Sequence, residues 1–169
     1  KDLDEYALIR YFTLTDLDRQ SVFNCRGNHN RLGFACQLCW LRWLGWQPDR
    51  STGTPPQATD FLAEQLRLLP ESLSDYPSHQ RLWQLHAEQV RQHLGWRTYG
   101  SAEVKELTEW LFEEALQYDN PRGLLEAIIG HLRGMKVVRP GITLLERLVM
   151  TTRARAETHL GHLIDKRLT

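Results

Sequence analysis

The run from Arg26 to Gly45, RGNHNRLGFACQLCWLRWLG, restricts the possible folds of this chain more than any other segment. Arg26, Asn28, His29, Asn30 and Arg31 make a polar, hydrogen-bonding knot, and they open directly into one of the most apolar stretches of the sequence. This order reads as a helix from about Asn30 to Leu44, with its body in a core and its first turn facing outward, ended by Gly45. A buried helix with a cationic N-terminal end is the shape of a helix-turn-helix reader, whose first residues can touch nucleic acid. It is equally the shape of a core helix with a capped end, and residue chemistry alone leaves both readings open.

The rest of the chain reads as helical too. Alternating strand patterns are absent, and the one β-prone run, Lys136-Val137-Val138, is too short to build a sheet. A first helix is expected over Leu3–Phe12, with Leu3, Ala7, Leu8 and Tyr11 on one stripe. Thr15 is expected to cap a second helix, with Asp16 and Asp18 in its first turn, where the helix dipole favours anions. The Pro- and Gly-containing segment from Gln47 to Pro56 reads as a loop, with a fourth helix following to about Leu69. Ser78 and Ser101 are expected caps of the next two helices, with Leu82, Leu85, Val90 and Leu94 apolar in one and Val104, Leu107, Leu111 and Ala115 in the other. Pro121 opens another helix at its first turn. Met135–Gly141 is a connector, and Thr143-x-x-Glu146 reads as a capping box for a long last helix. The expected fold is all-α, a multi-helix domain of two small helical subdomains with helix-turn-helix-like pairs, 1–75 and 76–169, divided at the Pro70–Pro77 break.

Composition narrows the function. The chain has 169 residues, enough for one good core or two small ones. Apolar residues are 41% and charged residues 25%, ordinary for a globular protein, and no stretch approaches the roughly 18 apolar residues of a membrane span. The start without Met, together with an end still in helical register, reads as a piece of a longer protein. Net charge is zero but unevenly spread: 19–50 and 131–169 are basic blocks that flank an acidic middle. Such a balance argues against indiscriminate polyanion binding and allows a local basic face.

Cys25, Cys36 and Cys39 are odd in number and clustered, unlike a secreted disulfide framework, and fit a reducing cytoplasm. A zinc site drawn from Cys25, His29, Cys36 and Cys39 would require the Cys36-x-x-Cys39 pair to leave an apolar helix body, so no metal or other cofactor is expected. There is no Walker loop, dinucleotide turn, His-Glu-x-x-His pair or nucleophile elbow, and no catalytic residue is assigned. The tryptophans Trp40, Trp43, Trp83 and Trp110 fall in helix bodies and read as core, not as base-stacking platforms.

On the last helix, Leu145, Leu148, Val149, Ala156, Leu160, Leu163 and Ile164 form the expected inner stripe. Arg147, Thr151, Arg155, His159, His162 and Lys166 recur at three- or four-residue spacing on the opposite face. Such a stripe suits phosphate contacts, and an ordinary solvated face has the same pattern.

Four blocks resemble a known family. RGNHNRLGFACQLCWLRWLG resembles the N-terminal region of Tn-three family replicative transposases, bacterial enzymes that move large transposons. Arg10-Tyr11-Phe12-x-Leu14-x-x-x-Asp18 resembles the family's approach motif. Arg81-x4-His86-x-Glu88-x-Val90-Arg91-x3-Gly95-Trp96 resembles its Arg…His…Glu-Ile-Arg…Tyr-Gly segment, with Val90 and Trp96 as departures. Lys136-Val137-Val138-x-Pro140-Gly141-x-Thr143-x3-Arg147-Leu148-Val149 matches its Lys-Val-x-x-Pro-Gly-x-Thr block. The blocks keep their order over nearly the whole chain.

The resemblance implies a bacterial, cytoplasmic protein whose N-terminal region binds the terminal inverted repeats of the element. It also implies that cleavage and joining belong to a metal-dependent acidic triad elsewhere in the protein, with no counterpart here. The implied partners are double-stranded DNA, the remainder of the transposase chain and a second copy of it. Arg26, His29, Asn30, Arg31 and Arg147 fall on motif positions. From polarity and helix position, the expected DNA contacts are Arg26, Asn28, His29, Asn30, Arg31, Arg139, Arg147, Thr151 and Arg155. The competing expectation is a structural or dimerisation module without direct DNA contact.

Overall fold

Why each helix starts and stops where it does can be followed in the computed structural model. It describes residues 3–47, 49, 53–117 and 120–168, excluding the side chains of 163–165, 167 and 168. Among the described residues the structure is helical with no strand: α1 (Glu5–Phe12), α2 (Asp16–Phe23), α3 (Asn28–Leu44), α4 (Pro56–Leu66), a 3₁₀ turn (Pro70–Asp75), α5 (Gln80–Leu94), α6 (Ser101–Ala115), α7 (Pro121–Gly134) and α8 (Ile142–Leu168). The expected loop residues 48 and 50–52, and Leu163 and Ile164 of the expected inner stripe, lie outside the described residues or side chains.

The chain divides into two compact units, Lys1–Arg97 and Thr98–Thr169. The Pro70–Pro77 stretch, expected as a boundary, lies inside the first unit, because α5 beyond it packs against α3.

The first unit is organised on α3, which contacts α1, α2, α4, the 3₁₀ turn and α5. A helix covered on so many sides must be apolar nearly all round. Every residue from Leu32 to Leu41 is buried, and Trp43 as well, whereas Leu44, expected in the core, is half-buried. Trp40 and Trp43 are core residues, and Phe12 meets Trp43 edge-on at 5.7 Å.

The helix starts two residues earlier than the sequence suggested. Gly27 is its N-cap at φ 86°, a left-handed backbone that disfavours a side chain, and no side chain caps the helix. Asn30 is therefore inside the first turn, where its amide donates back to the Arg26 carbonyl at 2.8 Å. Gly33 is required for space: a Cβ there would lie 2.2 Å from the Tyr76 ring.

Three other caps also differ from the expected ones. His79, not Ser78, caps α5, its Nδ1 accepting from the Leu82 N–H at 3.1 Å. Gly100, not Ser101, precedes α6, and its N–H donates to Glu103 at 3.1 Å. Thr143 lies within α8, which begins at Ile142, so the expected capping box does not form. The starts therefore shift by one or two residues: α5 begins one residue later, on the His79 ring, whereas α6 begins one residue earlier and α8 two residues earlier than the expected caps would place them. Thr15 and Pro121 fall where expected. Thr15 and Asp18 exchange side chain–backbone bonds at 2.8 and 3.2 Å, and Pro121 opens α7 behind an Asn120 cap.

The second unit encloses Leu107, Leu111, Leu124, Ile128, Leu132, Val137, Leu145 and Val149 between α6, α7 and α8. Val104 and Leu160, expected to face inward, are exposed.

Replacing the fully buried Leu38 by Asp strands a charge in the first core. The expected result is a loss of several kcal/mol and an unfolded or insoluble chain by circular dichroism. Gly33→Ala forces the Tyr76 ring to move and should cost about 1–3 kcal/mol in urea titration with the helical spectrum retained. An unchanged urea midpoint would contradict this packing.

Candidate nucleic-acid interface

Asp18 is the buried charge of the first unit, 1% exposed. Its carboxylate accepts from Arg42 Nη2 at 2.7 Å, from His93 Nε2 at 2.8 Å and from the Thr15 N–H at 2.8 Å, linking α2, α3 and α5. With Nε2 donating, His93 Nδ1 meets the Ser21 hydroxyl at 3.0 Å. Burial alone would raise the Asp18 pKa; the bonds from Arg42, Thr15 and His93 outweigh it and hold the carboxyl below its ordinary value. Gln65 of α4 fastens the α1–α2 link alongside, accepting from the Leu14 N–H at 2.9 Å and donating to the Phe12 carbonyl at 2.9 Å.

A second buried chain crosses from α3 to α5. Burial pushes His86 below and the Tyr76 phenol above their ordinary values, so both are neutral at pH 7. Gln37 Nε2 donates to Tyr76 Oη at 2.7 Å, and Tyr76 Oη lies 2.9 Å from His86 Nδ1. His86 Nε2 then faces Cys25 Sγ at 4.0 Å. Cys36 and Cys39 are buried within α3, and burial raises both thiols, Cys36 to about 12. Among the described residues no group of three or more His, Cys, Asp or Glu is placed to hold a metal ion.

These two chains support an open groove of about 630 Å³ between the α2–α3 turn and α5. Of the expected contact residues, Arg26 and Asn30 both line it. Asn28 is exposed and His29 is half-buried at the start of α3. Arg31 is turned back into the structure: its Nε donates to the Cys25 carbonyl at 3.1 Å and its guanidinium lies 5.4 Å from the centre of the Phe23 ring. Arg31 thus holds the turn that presents Arg26.

The second expected set lies in the other unit. Arg147, Thr151, Arg155, His159, His162 and Lys166 are all exposed on α8; Arg147 lies opposite the buried Leu145, Val149, Thr152 and Ala156, and Arg155 and His159 lie toward the edge of that buried stripe. Thr151 Oγ1 donates to the Arg147 carbonyl at 2.9 Å, leaving its lone pairs outward. Arg155 lies over the Phe112 ring at 4.6 Å and His159 meets the same ring edge-on at 5.7 Å. Arg139 is half-buried, so its guanidinium is less accessible than those of the exposed Arg147 and Arg155.

The sequence reading missed the α5 wall of the groove, formed by Leu85, Gln89 and Gln92. Leu85 was placed with the apolar core positions, yet it is 51% exposed. Its place four residues before Gln89 was the available signal, because that spacing puts both on one helix face.

Among the described residues the chain is thus helical and presents two polar, cationic surfaces. Residues 1–152 match the family described as a domain of unknown function, DUF4158, and the chain belongs to that family. It is also similar to the transposase for transposon Tn1546 of Enterococcus faecium, 35% identical over 167 residues, covering 98% of this chain and 17% of that protein. The transposase for transposon Tn21 of Escherichia coli is 31% identical over 153 residues, covering 90% of this chain and 16% of the relative. The transposase for transposon gamma-delta of Escherichia coli strain K12 is 32% identical over 163 residues, 93% of this chain and 16% of the relative. These matches bear out the resemblance carried by the four sequence blocks. The chain spans about one sixth of the length of the curated relatives it matches. No helix among the described residues is long and apolar enough to cross a membrane.

Asp18→Asn should cost about 3 kcal/mol, since Arg42 and His93 lose a buried counter-charge. The folded Asp18 pKa lies below the unfolded one, so its stabilisation is complete above the unfolded value, about 3.9, and is lost as pH falls through the folded value. Urea titrations across that acid range should therefore slope less for Asp18→Asn than for the parent chain. Equal slopes would remove Asp18 from its stabilising role.

Proposed function

We propose that this chain is the DNA-binding N-terminal module of a replicative transposase and recognises the terminal inverted repeats of its transposon. The observation that carries the reading is the split character of α8. Leu145, Val149 and Ala156 are buried in the second core, while Arg147, Thr151 and Arg155 stand exposed along the same helix. Arginine supplies affinity for phosphates and hydroxyl groups supply register. The α2–α3 turn adds Arg26, Asn28, His29 and Asn30, with Arg31 bracing them and Arg139 a weaker contact. The transposase relatives and the four family blocks support the same reading.

In this function the chain contributes recognition and no chemistry. Strand cleavage and joining would fall to an acidic, metal-dependent triad in the rest of the transposase, with the protein working in the bacterial cytoplasm on chromosomal or plasmid DNA. The remaining transposase chain and a second copy are its further partners. A non-binding, interaction role is favoured by one observation: Ile9, Leu17 and Leu69 are each more than half exposed, as apolar contact residues would be.

Joint replacement of Arg147 and Arg155 by Ala tests the proposal. Binding to both transposon-end and random duplexes should weaken, with the salt dependence flattened by roughly one unit of slope per lost contact. A double variant that binds both duplexes as the parent does would move the contact off α8. No binding by the parent chain at low salt would favour the interaction role.

A further inference from the structure

The groove of the first unit has a lining that the overall composition does not lead one to expect. The chain carries 21 acidic and 21 basic residues, yet among the described residues no carboxylate lines this groove. Asn24 and Arg26 form one wall, and Leu85, Gln89 and Gln92 form the other. Glu88, the acidic residue on this stretch of α5, is paired with Arg91 and accepts from Gln92 at 2.9 Å. Asp18, beneath His93, is buried and balanced by Arg42. Gln89 is exposed, and its amide is not engaged elsewhere in the described structure.

We propose that α5 is the second wall of the DNA contact and that the groove seats one sugar–phosphate strand of a duplex, with Gln89 donating to a phosphate oxygen and Arg26 supplying the counter-charge. This rests on the DNA-binding reading above. Four features fit that occupant. A concave surface receives the convex ridge of a backbone strand. Guanidinium and amide donors are the side chains that hold phosphates. A lining without carboxylates presents no like charge to a polyanion. Exposed Leu85 at the edge gives apolar surface for a deoxyribose face. The contact positions the duplex and carries no base preference of its own.

The groove contains its own reporter. Cys25 lines it and is half-buried, whereas Cys36 and Cys39 are sealed in α3. Maleimide alkylation of the folded chain therefore reads Cys25. Saturation with a random-sequence duplex, or with a transposon-end duplex, should slow that alkylation at least about fivefold. Gln89→Ala should weaken binding to both duplexes about three- to tenfold, the worth of one hydrogen bond, with an unchanged salt slope because no cation is lost. Arg26→Ala should weaken binding and lower the slope by about one. Gln89→Glu keeps the shape and adds a negative charge, so it should bind more weakly than Gln89→Ala. Both Gln89 variants alter an exposed residue, and retained helical circular dichroism confirms their fold. Full DNA binding with Cys25 alkylated at its free rate would overturn this proposal while leaving the α8 contact standing, and so would a Gln89→Glu variant of parental affinity. Absence of any duplex binding by the parent chain at low salt would overturn both.

Discussion

The carboxylate of Asp18 holds together three helices that the chain order separates. It caps α2 through Thr15, receives Arg42 from α3 and receives His93 from α5, all within 2.8 Å. A buried carboxylate with one partner is a liability, because desolvation disfavours its charge; with three donors it remains ionised and sets where each helix must lie. His93 could not reach it unless α5 ran back along α3, and that course creates the groove. The expected subdomain boundary at Pro70–Pro77 fails to separate α5 from the first unit for the same reason: the turn is local, and the Asp18–His93 bond spans 75 residues.

Around that anchor, α3 is defined by close approach. Gly33 lets the Tyr76 ring lie against the helix, and the phenol then connects Gln37 to His86 through bonds of 2.7 and 2.9 Å. The four groups Gln37, Tyr76, His86 and Cys25 are neutral, so the chain of contacts crosses the core without a buried ion. It ends at Cys25, on the groove lining. Groove and core therefore share the same residues: those that fix α5 against α3 also form the floor between the two walls.

The second unit uses a simpler device. The buried residues Leu145, Val149, Thr152 and Ala156 recur every three or four positions along α8, which leaves the rest of the helix surface for Arg147, Thr151 and Arg155. Nothing in that core needs the arginines. Phe112 nevertheless steadies Arg155 at 4.6 Å, so the cation is presented from a supported position and not from a free side chain.

The residue pattern alone determined that the chain is helical, that the run after Arg31 enters a core, that Thr15 and Pro121 start helices, and that α8 has one cationic face. These follow from short-range periodicity and from chemistry within a single turn. Family membership was legible for a related reason, since four blocks keep their order along the chain. Other features required the tertiary structure. The starts of α3, α5, α6 and α8 moved by one or two residues: Gly27 opens α3, the His79 ring caps α5, Gly100 precedes α6, and α8 already begins at Ile142. Leu85 and Leu160 left the core because a stripe's apolar character does not say how wide its partner is. Arg31 turned inward, and Asp18, which looked like a dipole partner at a helix start, became the charge at the centre of the unit. Gln89 could not be read as a groove residue at all, because a groove exists only when two segments distant in sequence are brought side by side.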